Sequence, residues 1–205
     1  MQLRDVLRQH RLMAVVHGDD PDAALDCVLV LAEAGVALIE VSCTSVDGVG
    51  VIARARAALG PDALLGAGTV LTESEVVRVE QAGASFIVTP GLVPALSEAV
   101  RLGLPALVGV FTPSEVVAAT VAGAAAVKLF PASVGGPDYL RSLGEPFPEV
   151  AFVPFGGVDA DSAPAYLAAG AIAVGVDSPL LGDAPRGGDL DGLRERAELF
   201  RAAVA

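Results

Sequence analysis

The feature that most narrows what this chain can fold into is a recurring junction, EAGVALIE, QAGASFIV, VAGAAAVK and AAGAIAVG, in which a helix-period segment runs through Ala-Gly into a short apolar stretch. A glycine just past a helix takes the left-handed conformation that ends it, so each phrase reads as helix, stop, strand. Gly35, Gly60, Gly83, Gly103, Gly123 and Gly170 all stand at such positions. The apolar runs that follow are short and lack polar alternation, the pattern of parallel strands covered on both faces. Eight strand candidates result: Met13 to His17, Ala37 to Cys43, Leu64 to Thr69, Ser85 to Thr89, Ala106 to Phe111, Ala125 to Phe130, Ala151 to Phe155 and Ala171 to Val176. Asp20 before Pro21, Thr72 with Glu75, and Thr112 with Pro113 and Glu115 supply helix start signals between them.

Eight strand–helix units in 205 residues predict an α/β chain folded as a compact (β/α)8 TIM barrel, one domain over 1–205 with short loops. The alternative is an open doubly wound sheet, but no strand leads into a G-x-G-x-x-G turn with an acidic residue about 20 positions on. Met1 to Arg11 is expected to form a short helix closing the bottom of the barrel. Gly182 to Gly192 reads as a polar, Gly-rich loop before a last helix.

With 53% hydrophobic residues the chain can bury one sizeable core. Gly, Pro, Thr or charge breaks every apolar stretch before the roughly 18 to 20 residues of a membrane span. The first twenty residues also lack the apolar centre of a signal peptide, so a soluble, cytoplasmic protein is expected. A net charge of -12 disfavours nucleic acid and anionic membranes as partners and favours a small molecule. Cys27, in a helical pattern, and Cys43, at a strand end, give neither a disulfide framework nor a metal spacing, and are read as free thiols.

Arginine fills every basic position but one. Lys128 is the single lysine, in AAAVKLFPAS, a strand with no other charge. Alternation puts Ala126, Lys128 and Phe130 on one face and Val127 with Leu129 on the other. The larger aliphatic pair suits the helix layer, which turns Lys128 into the lumen. An ammonium there is costly unless paired, and the neutral amine is a nucleophile. The alternative reading is a lysine snorkelling from a strand end or completing a core ion pair. In the second strand Leu38, Glu40 and Ser42 share a face, and strands two and six stand opposite each other in an eight-strand barrel. Glu40 is thus expected to face Lys128 across the lumen, as a proton shuttle or as half of a buried ion pair.

These residues sit in five ordered motifs: IEVSCTS (Ile39 to Ser45), GAGTV (Gly66 to Val70), VTPGL (Val88 to Leu92), VKLFPAS (Val127 to Ser133) and PFGGV (Pro154 to Val158). In them the chain resembles the class I aldolases that cleave 2-keto-3-deoxy-6-phosphogluconate and 4-hydroxy-2-oxoglutarate, the KDPG/KHG aldolases. The resemblance implies a metal-independent carbon–carbon lyase without cofactor, acting on a keto acid or aldehyde and assembled as a homotrimer. It makes Lys128 the imine-forming lysine, Glu40 the acid/base, Thr69 a contact to the keto-acid portion, and Pro90 with Phe130 pocket walls.

The chain also departs from the family pattern. Thr44 and His17 stand where relatives place arginines, exchanging charge-assisted contacts for a hydroxyl and an imidazole. Phe155 replaces a threonine before the glycine pair, giving a bulkier, less polar pocket. On the side expected to hold a phosphate or polar tail, Gly156 and Gly157 remain, with Ser178 as a donor. Asp177 stands where relatives have glycine, and either faces the ligand or caps the following turn. A Schiff-base lyase or decarboxylase working on a less anionic carbonyl is the second functional reading. A non-catalytic ligand-binding barrel is the third.

Overall fold

The computed structural model describes residues 2–205, in which helices and strands alternate along the chain. The order is α1 (Leu3–His10), β1 (Leu12–Val16), α2 (Pro21–Glu33), β2 (Leu38–Ser42), α3 (Gly48–Leu59), β3 (Leu64–Gly68), α4 (Glu73–Gln81), β4 (Phe86–Thr89), α5 (Ala95–Leu102), β5 (Ala106–Val110), α6 (Pro113–Val121) and β6 (Ala126–Leu129). It continues with α7 (Gly136–Gly144), β7 (Phe152–Pro154), α8 (Ala163–Ala168), β8 (Val174–Val176), α9 (Ser178–Leu181) and α10 (Leu190–Ala203). Short 3₁₀ turns lie at Ala132–Val134 and Ala184–Arg186.

Every strand pair is parallel, in the order β7-β6-β5-β4-β3-β2-β1-β8. The ring is nearly closed where β7 meets β8, through a Phe155–Gly175 bridge and a 3.0 Å bond from the Ile172 N–H to the Phe152 carbonyl. The expected (β/α)8 barrel is therefore the observed fold. The eighth strand is shorter than its apolar run, beginning at Val174 instead of Ala171.

The junction motif works as its sequence predicts. After α2, Ala34 closes the helix and Gly35 takes φ +82°. The Val36 N–H then reaches back to the Leu31 carbonyl at 2.9 Å, and the Gly35 N–H to Ala32 at 3.0 Å. The same pair of bonds follows α4, α5, α6 and α8, so five helices hand over to strands through one capping geometry. At the starts, Asp20 accepts from the Asp22 and Ala23 N–H groups, and Thr72 with Glu75 and Thr112 with Glu115 form capping boxes.

Side-chain alternation sorts the strands into two apolar layers. Ile39, Val41, Val127 and Leu129 pack outward under the helices, while Leu38, Met13, Phe86, Leu107, Ala126 and Val153 fill the lumen. Leu3, Val6 and Leu7 of α1 join this inner cluster and plug the end where the strands begin. The expected closing helix is thus present over Leu3–His10; Met1 lies outside the described residues. The loop expected at Gly182 to Gly192 is shorter, because Asp189 caps α10 by accepting from the Gly192 N–H and the preceding chain is tied into a 3₁₀ turn. None of the described helices is long and apolar enough to cross a membrane.

Candidate active site

Lys128 is the third residue of β6, paired in register with Gly109 of β5 and Val153 of β7. It lies on the inward face with Ala126, as alternation requires, but it is half-buried, not enclosed. Two phenyl rings flank its amine: Nζ is 4.6 Å from the Phe155 centroid and 5.2 Å from the Phe130 centroid. Such contacts stabilise a cation without giving it a counter-charge. Both rings rely on glycine. A Cβ at Gly175 would overlap the Phe155 ring, and one at Gly156, where φ is +84°, would lie 2.7 Å from Phe130. Gly156 and Gly157 therefore seat the β6 loop, an arrangement reinforced by the Ala132 N–H to Phe155 carbonyl and Ser133 N–H to Gly156 carbonyl bonds at 2.8 and 3.0 Å.

Glu40 points inward from the middle of β2 and is 2% exposed. Its Oε2 has no hydrogen-bond partner among the described residues. Its Oε1 occupies the space that a Cβ on Gly68 of β3 would take. Burial pushes the Glu40 carboxyl above its usual range; the charge on Lys128 opposes this and the Asp177 carboxylate reinforces it. The two groups feel each other across the lumen but form no direct ion pair, so the alternative reading of them as a buried ion pair does not hold. The reason is steric: Lys128 turns its amine toward the two rings, while Glu40 lodges against the β3 backbone.

The other expected residues ring the same end of the barrel. Thr69 follows β3 directly and is half-buried, and Pro90 follows β4 with its carbonyl against Gly109, beside the register partner of Lys128. Phe130 is 47% exposed at the mouth, whereas Phe155 is buried in the lumen. Asp177 heads α9 but makes no side-chain capping bond, so the reading of it as a turn cap does not hold. Ala173 lies in the inner cluster and Gly175 faces the Phe155 ring, so Asp177, two residues further, continues the inward face of β8. His17 and Thr44 are exposed just beyond β1 and β2, and with Ser178 they line a cavity of about 280 Å³. All these groups sit at or beyond the carboxyl ends of the strands, where barrel enzymes build their sites.

Residues 3–193 match the sequence profile of the KDPG and KHG aldolase family. The chain belongs to that family. It is 36% identical over 196 residues to a probable 2-dehydro-3-deoxy-6-phosphogalactonate aldolase of Rhizobium meliloti, covering 94% of this chain and 90% of that one. It is 37% identical over 163 residues to a 2-dehydro-3-deoxy-phosphogluconate aldolase of Pseudomonas aeruginosa, covering 78% and 74%. Among solved structures, a KDPG aldolase from Legionella pneumophila, with pyruvate captured at low pH as a covalent carbinolamine intermediate, superposes with a TM-score of 0.89 at 26% identity, covering 100% of this chain and 99% of that one. A native KDPGal structure gives 0.88 at 31% identity over 94% and 93%.

Membership in the KDPG and KHG aldolase family makes this protein a carbon–carbon lyase of the aldolase type, and it directs attention to the two positions that lack arginine. His17 and Thr44 prove to be neighbours on one cavity, and a guanidinium is there after all: Arg186, from the 3₁₀ turn after β8, lines the same space. Sequence reasoning missed it because it belongs to none of the five motifs. Its only signal is an isolated arginine after Pro185 in the loop following the last strand, a loop of the kind that carries function in barrels. A separate cavity of about 510 Å³ is at the opposite end, between α1 and α10, far from these groups.

Proposed function

We propose that this protein is a class I aldolase that cleaves a 2-keto-3-deoxy sugar acid or a 4-hydroxy-2-oxo acid to pyruvate and an aldehyde through an imine on Lys128. The observation that carries the reading is the single lysine on the inward face of β6, flanked by Phe130 and Phe155 and electrostatically coupled to Glu40. The free amine adds to the C2 carbonyl, and loss of water from the carbinolamine leaves a protonated imine. That imine is cationic, like the ammonium, so the flanking rings favour it too. Removal of the C4 hydroxyl proton lets the C3–C4 bonding pair flow into the imine, releasing the aldehyde and leaving an enamine. Protonation at C3 and addition of water then release pyruvate and restore Lys128. Glu40 is the proton relay, because it faces the same lumen as Lys128 with an unpartnered carboxyl oxygen, and burial raises that carboxyl above its usual range. Thr69, Pro90 and Phe130 shape the keto-acid end, while Ser178 with the Gly156–Gly157 turn serves the distal end.

Family membership also supports a cytoplasmic homotrimer. The exposed apolar side chains Val117 and Val121 of α6 and Val134 suit a subunit interface. The decisive experiment for the chemistry is borohydride reduction with pyruvate followed by peptide mass mapping. Modification at Lys128 is expected, with none in Lys128→Met. Lack of labelling across pyruvate, other keto acids and aldehydes would remove the imine mechanism.

A further inference from the structure

At the mouth of β1 and β2 a guanidinium stands with nothing to hold. Most arginines of this chain are engaged: Arg56, Arg196 and Arg201 clamp backbone carbonyls, and Arg54 pairs with Asp22. The Arg186 side chain forms no hydrogen bond or ion pair among the described residues, although the chain carries a net charge of -12. The turn that carries it is nevertheless fixed. Ala184 and Pro185 are buried, and a Cβ at Gly18 would lie 2.7 Å from the Pro185 carbonyl, so only glycine lets the turn come this close to the end of β1. Of the two acids nearest in sequence, each three residues away, Asp183 accepts from the Asp189 N–H at 3.2 Å and Asp189 from the Gly192 N–H at 3.0 Å, so both are directed to their own loop.

We propose that Arg186 binds the anionic group of the substrate, a carboxylate or a phosphate, in the 280 Å³ cavity it shares with His17, Thr44, Ser45 and Ser178. The proposal rests on the aldolase reading, which supplies an anionic keto acid at Lys128. The donor set suits an oxyanion. A guanidinium offers a planar fork of N–H groups, and the Ser178 hydroxyl adds another donor. The Ser45 oxygen accepts from the Gly18 N–H at 3.0 Å, leaving its own O–H to donate, and the Thr44 hydroxyl lies 2.8 Å from that of Ser42. Two carboxylates oppose an anion here: Asp19 on the cavity wall and Asp177 beside Ser178, neither paired with Arg186. Without the guanidinium the balance of this wall is repulsive, so anion binding depends on that one side chain.

The test compares wild type with Arg186→Gln and Arg186→Lys, all checked for unchanged melting. If the bound group is the keto-acid carboxylate, the pyruvate concentration for half-maximal borohydride trapping at Lys128 rises about ten-fold or more in R186Q and recovers in part in R186K. If it is a phosphate, pyruvate trapping is unchanged. The KM for 2-keto-3-deoxy-6-phosphogluconate then rises by a similar factor with little change in kcat, and inhibition by inorganic phosphate weakens. Either result supports the assignment and identifies the source of the anion. Wild-type trapping combined with an R186Q variant unaltered in all three measurements overturns the role of Arg186 alone. Failure of wild type to trap any keto acid overturns the aldolase reading and this proposal together.

Discussion

Glu40 and Lys128 illustrate how two ionisable side chains in one lumen receive different treatment. Lys128 keeps contact with solvent and rests between two rings, whereas Glu40 is enclosed with an unpartnered oxygen. Its raised carboxyl has a thermodynamic consequence with a definite sign. In the unfolded chain Glu40 ionises near its ordinary value of 4.5, while the folded protein holds the proton to higher pH. Its contribution to stability is complete below that ordinary value and is lost as pH rises through the folded-state one. Glu40→Gln cannot ionise. Its melting temperature should therefore gain on wild type as pH rises, and the difference should level off in acid, as thermal melts from pH 4 to 9 would reveal. Turnover should fall at all pH values if Glu40 relays protons. The two thiols belong to the same scale: burial pushes Cys27 up to about 12 and Cys43 to about 11, so neither offers a nucleophile to rival the lysine.

At the scale of elements, the strands were legible because their chemistry is local. Apolar runs, Ala-Gly stops and Thr-x-x-Glu starts each act within a few residues, and the structure places them where the sequence suggests. The inward face of β6 was legible for the same reason, since alternation separates Lys128 from Val127 and Leu129, which pack under the helix layer. What a single strand cannot reveal is who occupies the space above a glycine. Gly66 and Gly68 are neighbours on the inward face of β3, yet the first leaves room for the Phe86 ring and the second for the Glu40 carboxylate. This gives a paired prediction. Gly66→Ala should act on stability, costing about 1–3 kcal/mol through overpacking against Phe86, with activity retained in the folded fraction. Gly68→Ala should displace Glu40 and lower kcat by up to about 10²–10⁴-fold, the range of general acid–base contributions, while substrate trapping at Lys128 persists. Equal loss of kcat in the two variants would show that the β3 glycines serve packing alone.

The whole molecule is a barrel stoppered at one end and open at the other, and the two ends divide stability from chemistry. At the closed end Leu3, Val6 and Leu7 of α1 complete the inner cluster, with Leu7 fully buried. Leu7→Ala should lower stability by about 2–5 kcal/mol, measured by denaturant unfolding, and leave the Lys128 trapping concentration unaltered below the transition. At the open end, residues from seven of the eight strand ends meet, all but β5, brought together from His17 to Arg186. The sequence by itself determined the barrel, because period, stop and cap signals are short-range and recur along the chain. It also determined which side of β2 and β6 faces the lumen, because alternation is a property of one strand. The tertiary structure alone decided that Glu40 and Lys128 stay unpaired and that Arg186 reaches the cavity of Thr44 and His17. Those outcomes depend on distances between segments far apart in the chain, which become fixed only when the eight strands close into a ring.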